Sequence, residues 1–158
     1  MELVKINFNG TVFLDENRSG IGVVISDDKG LVLASCSKKL FQAYTAQEVE
    51  TMAATTALSF AQKLGIRRAI LEGNVADVMK ALDENVPTLS PTGLLVEGVK
   101  KLFQNFEQLL YSHTMRAGNY VTHSLARYAI GISDFLVWME NVPPHIQSVL
   151  QLDLVCFQ

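Results

Sequence analysis

TAQEVETMAATTALSFAQKLG, residues 45–65, decides how the rest of the chain is read. Thr45 stands where a helix cap belongs, and Glu48 three residues later completes a capping box. Tyr44 and Val49 occupy the staple positions on either side of the cap. Val49, Met52, Ala53, Thr56, Phe60 and Leu64 recur at helical spacing, and Gly65 ends the run. The pattern predicts a helix over 46–64 with one core-facing stripe. Ala53, Ala54 and Ala57 are small enough to let that helix lie close against a sheet. The stripe reads as core rather than as a cofactor box.

Upstream of this helix the chain reads as strands. Val4, Ile6 and Phe8 alternate with Lys5 and Asn7, and Gly10 ends the alternation. Ile21–Ile25 and Leu31–Ala34 are two further apolar runs. The turn sequence Ser26-Asp27-Asp28-Lys29-Gly30 joins them into a hairpin. Downstream, strands and helices alternate. Arg68–Glu72 is a short strand, and Asn74 can cap a helix over Val75–Leu82. Asn85–Ser90 is a loop. Ser90-Pro91 starts a helix reaching Phe103. Gln108–Thr114 is a fifth strand, and Gly118-Asn119 opens a helix from Tyr120 to about Ile132. A three-strand meander followed by strand–helix alternation predicts an α/β fold with a mixed sheet.

Composition agrees with a globular domain. Of 158 residues, 49% are hydrophobic and 18% charged, which is not the balance of a disordered chain. No apolar run approaches the ~18 residues a membrane-spanning helix needs, and MELVKINFNG lacks the charged-then-apolar pattern of a secretory leader. Cys36 and Cys156 are far apart and match no metal spacing, so they read as thiols of a reducing, intracellular setting, nuclear or cytoplasmic. A net charge of −3 argues against a strongly basic nucleic-acid stripe. Lys38-Lys39, Arg67-Arg68 and Lys100-Lys101 are short basic pairs of the kind that usually form solvated faces.

Residues 133–158 differ from what precedes them. Phe135, Leu136, Val137, Trp138 and Met139 form an apolar run before Pro143-Pro144 and a second apolar stretch, VLQLDLV. Phe135, Val137 and Trp138 lie too close together to share one helix stripe with Leu125 and Ile130. The expected organisation is a domain over 1–132. A C-terminal extension over 133–158 packs on it as a helix and extended segment, or against a second copy in a homodimer.

Five segments in this order and spacing carry a resemblance: KINFNG (5–10), SGIGVVISDDKG (19–30), EVETMAATTAL (48–58), AILEGN (69–74) and RAGNYVTHSLAR (116–127). Together they resemble the ribonuclease H superfamily, in its plant, retroelement-derived, reverse-transcriptase-like branch. The resemblance implies a ribonuclease H-like fold: a five-stranded mixed sheet with helices on both faces and the first strand central. It also implies a two-metal site for cutting RNA:DNA hybrids, with acids at four places. Two ions about 4 Å apart activate water and stabilise the leaving oxygen, and magnesium needs anionic oxygens to stay bound.

The matching positions here are Asn9, Glu50, Asn74 and His123, so only Glu50 keeps a carboxylate. Asn9 and Asn74 retain a carbonyl oxygen without the charge. His123 offers a nitrogen, poorly suited to magnesium though acceptable to zinc or manganese. Bland readings stand beside these: Asn9 as a turn residue, Asn74 as a helix cap, His123 as a solvated helix residue, Glu50 as a carboxylate favoured near a helix start. Glu72, on the face of Asn74 by alternation, is the other residual metal candidate. Glu48 and Asp77 lie nearby. His113 precedes His123 by the spacing of a helper histidine but falls in the predicted fifth strand.

The expectation is therefore a catalytically degenerate domain, a pseudo-ribonuclease H acting in nucleic-acid binding or as a protein-interaction scaffold. It would need no cofactor and have no membrane partner. The alternative is an active hybrid endonuclease with an altered site, which would require magnesium or manganese.

Overall fold

The computed structural model describes residues 3–73, 91–113 and 119–147. Six strands form one sheet: β1 (Val4–Phe13), β2 (Arg18–Ser26), β3 (Val32–Leu40), β4 (Arg68–Gly73), β5 (Gln108–His113) and β6 (Phe135–Met139). Their order across the sheet is β5-β4-β1-β2-β3-β6. β1, β2 and β3 form an antiparallel meander. β4 and β5 run parallel to β1 on its other side, so β1 is central, as expected.

Helix α1 (Ala46–Lys63) begins where the capping box puts it. The Glu48 N–H donates to Thr45 Oγ1 at 3.1 Å. Its buried residues include Val49, Ala53, Ala54, Ala57, Leu58, Phe60 and Ala61. They pack with Ile6, Phe8, Ile21, Val23 and Ile25, which alternate onto one face of the sheet. Helix α2 (Pro91–Phe103) lies beside α1 and adds Val99 to this core.

Helix α3 (Tyr120–Tyr128), continued by a 3-10 turn at Ala129–Gly131, covers the opposite face. Val121 and Leu125 meet Val24 there. Close approach is possible because β2 presents Gly20 and Gly22 to the helix. A Cβ on Gly22 would overlap the Thr122 carbonyl oxygen and lie 2.6 Å from the Ala126 nitrogen. Helices on both faces were expected and are found.

Three expectations need correction: first, β1 continues through Gly10 to Phe13, paired with β2 throughout, rather than ending at Gly10. The sheet has six strands, not five. The extra one comes from the segment read as a helix: Phe135–Met139 is a strand, antiparallel to β3. Strand geometry resolves the crowding of its apolar residues, since neighbours point to opposite faces. Trp138 joins Val24, Tyr128, Val142 and Ile146 on the α3 side, and Phe135 meets Phe60 of α1 edge-on, with ring centroids 6.5 Å apart. The predicted helix over Val75–Leu82 and the VLQLDLV stretch lie outside the described residues.

Candidate functional site

The central strand sets the site. Ile6 and Phe8 face α1, so Asn7 and Asn9 face α3 by alternation. Asn9 is paired with Gly22, and both lie under the first turn of α3. Asn119, just ahead of that turn, is buried and donates from Nδ2 to the Phe8 carbonyl at 3.3 Å. Thr122 Oγ1 donates to the Asn119 side-chain oxygen. These bonds fasten the start of α3 to β1 beside Asn9.

Glu50 reaches the same place from the other face. It lies one turn inside α1, five residues beyond the Thr45 cap rather than in the first turn. The adjoining Val49 packs on Gly10, where a Cβ would come within 2.9 Å of the Val49 backbone. That contact lets the Gly10 N–H donate to Glu50 Oε1 at 3.1 Å. Only 5% of Glu50 is exposed, and its Oε2 has no hydrogen-bond partner among the described residues. Burial pushes its pKa from an ordinary 4.5 up to about 7, with the Gly10 bond pulling weakly the other way.

The Asn9–Gly10 step thus brings two of the four sequence-identified positions together. Asn9, 4% exposed, accepts a long bond from Thr11 Oγ1 at 3.4 Å. His123 is half-buried on the first turn of α3, and its N–H donates to the Asn119 carbonyl. It shares the α3 turn that sits on β1. Asn74 lies outside the described residues, directly after the end of β4.

Glu72, the residual candidate, sits on the Asn9 face. Asn7 Nδ2 donates to its Oε2 at 3.0 Å and Ser112 Oγ to its Oε1 at 3.4 Å. The three residues are in register across β1, β4 and β5. His113 is the last residue of β5.

Asn7 and Asn119 were missed as site residues from the sequence. Asn7 looked like the solvated half of an alternating strand, yet it is buried and bonded to Glu72. A polar residue midway along a central strand, covered on both faces, is the signal that could have marked it. Asn119 was read only as the opening of a helix.

Among the described residues of the four matched positions, only Glu50 offers a carboxylate, fewer anionic ligands than a pair of magnesium ions calls for. An amide at Asn9 supplies only a neutral oxygen. Among the described residues no three His, Cys, Asp or Glu side chains converge in a way that could hold a metal ion.

Comparison with known proteins gives the family and the fold. A family described as reverse transcriptase-like matches residues 7–129, a span that includes all four positions. No curated protein matches the chain. Among solved structures, RNase H1 from the halophilic archaeon Halobacterium salinarum NRC-1 superposes with a TM-score of 0.74 at 23% identity, covering 81% of this chain and 97% of that one. The N-terminal RNase H domain of a Mycobacterium tuberculosis protein gives 0.73 at 23% identity, covering 83% and 95%. LC11-RNase H1, solved in complex with an RNA/DNA hybrid, gives 0.72 at 22% identity, covering 81% and 96%. At such identities the likeness establishes a shared fold.

Proposed function

Because the chain belongs to the reverse transcriptase-like family and has the ribonuclease H fold, we propose that it binds RNA:DNA hybrid without cutting it. The observation that carries this reading is the state of the Asn9–Glu50 pair. The scaffold still delivers both residues to the end of one strand–helix contact. An amide stands at Asn9 in place of the expected carboxylate, and the carboxyl retained at Glu50 is buried with one oxygen on the Gly10 N–H. A metal route to hydrolysis would need anionic ligands that Asn9 does not supply, whereas binding of a hybrid would not depend on them.

The hybrid bound to LC11-RNase H1 supports the choice of ligand. So does the electrostatics of the adjoining edge. Exposed Phe41 has the Arg18 guanidinium 5.6 Å and the Lys39 ammonium 5.9 Å from its ring centre. Lys39 lies two rungs beyond Ser37, which is level with Asn9 across β2. Cations beside an exposed ring suit a phosphate backbone with stacked bases.

A gel shift against hybrid, duplex DNA and single strands, with and without manganese, tests the reading. Retention of the hybrid, intact and independent of the metal, supports it. Failure to retain any nucleic acid would move the function to protein interaction. Metal-dependent cutting that disappears in Glu50→Gln would establish an active enzyme instead.

A further inference from the structure

On the α1 face the helical layer stops short of β6, leaving a cleft of about 560 Å³. Phe60, Phe135 and Val137 give it apolar walls, and Lys38, Lys63 and Asp134 supply its charge. The chain as a whole is acidic at −3, yet around this cleft two ammonium groups face one carboxylate. Among the described residues neither lysine has a salt-bridge partner.

The backbone beside the cleft is equally suited to a guest. The Lys39 N–H donates to the Asp134 carbonyl at 2.7 Å, and the Glu140 N–H to the Leu33 carbonyl at 2.8 Å. In an antiparallel ladder the bonded side alternates. Leu136 and Trp138 therefore turn their peptide groups toward β3, while Phe135, Val137 and Met139 turn theirs outward. β6 ends the sheet, so among the described residues no strand pairs with those outward groups. Phe135, Val137 and Met139 are also 42%, 41% and 58% exposed. The strand has no charge, proline or register shift of the kind that protects natural sheet edges.

We propose that β6 and this cleft bind an extended acidic–apolar peptide segment of a partner protein. The guest adds as a strand to β6, places alternate apolar side chains against Phe135 and Val137, and directs carboxylates to Lys38 and Lys63. The mode uses backbone bonds for affinity and the cleft for selection. It is independent of the hybrid-binding reading, because the cleft lies on the opposite face of the sheet from Asn9.

The test is amide hydrogen exchange and NMR titration on the full chain. In the free protein, the Phe135, Val137 and Met139 amides should exchange fast while those of Leu136 and Trp138 are protected. A capped synthetic peptide alternating Leu and Asp should protect the first three and shift their resonances. A Leu–Lys peptide should bind about tenfold more weakly or worse. Lys38→Glu with Lys63→Glu should reverse that preference. Val137→Pro, which removes an outward N–H and spares the β3 ladder, should abolish binding while β3 amides stay protected. Three results would overturn the proposal. One is protection of the outward amides in the free monomer, meaning the chain covers its own edge. Another is protection that appears only with doubling of the mass, meaning a second copy is the occupant. The third is indifference to peptide charge.

Discussion

At the scale of single residues, Glu50 is the group whose chemistry is most sharply set by its surroundings. It binds its proton more tightly in the folded chain than in the unfolded one, because burial penalises the anion. Below about pH 4.5 the carboxyl is neutral in both states, and its full contribution to stability is present. Between there and about pH 7 the unfolded chain ionises first, so stability falls as pH rises. Above pH 7 the loss levels off, on the order of 3 kcal/mol. Glu50→Gln keeps an acceptor for the Gly10 N–H and removes the titration. Thermal melts across this range should show the native chain losing stability relative to the variant as pH rises. Parallel profiles would mean that the carboxyl is hydrated rather than buried. The sequence identified Glu50, but only as a carboxylate near a helix start. Its buried, half-satisfied state comes from Val49 seating against Gly10, a contact between residues 39 apart that no local pattern encodes.

At the scale of elements, what could be read in advance was what local chemistry dictates. The capping box and helical stripe placed α1, and Ser90-Pro91 placed α2. Alternation, apolar runs and turn signals located β1 to β5, but β1 and β3 run three and six residues past the ends read for them. What could not be read was β6. A run of five apolar residues fits a helix or a strand equally, and only the free edge of β3 selects between them. The glycines of β2 are similarly mute in sequence, yet they govern how closely α3 approaches Asn9. Gly22→Ala would drive a methyl group into the Thr122–Ala126 backbone. A cost of about 1–3 kcal/mol is expected by denaturant unfolding, and an unchanged midpoint would mean that α3 moves freely. Ending the chain at Ser133 removes β6 and the packing of Trp138, Val142 and Ile146 around Tyr128 and Val24. The shortened chain should melt at a lower temperature and be less soluble, because the edge of β3 and the α3 core become exposed. Equal melting and solubility would show that the segment adds nothing to the fold.

At the scale of the molecule, the chain has the ribonuclease H fold, and the proposal is that this fold is kept without its acidic centre. The fold was legible because it depends on many residues in order, and five segments carried it together. Asn9, Asn74 and His123 were legible as departures from the acids that the resemblance implies, since that reading needs no coordinates. The hydrogen bonds of buried Asn7 and Asn119, to Glu72 and to the Phe8 carbonyl, were not, because they depend on register between segments distant in sequence. Magnesium-dependent cleavage of a hybrid is expected to be absent. Asn9 lies on β1 and His123 on the helix turn above it, so on the proposed reading the missing ingredient is charge. Calorimetric titration of manganese into the native chain and into the Asn9→Asp, Asn74→Asp, His123→Asp triple variant measures this directly. The expected result is no binding to the native chain and recovered binding to a variant that melts cooperatively. Saturable binding by the native chain, or none by the folded variant, would contradict it.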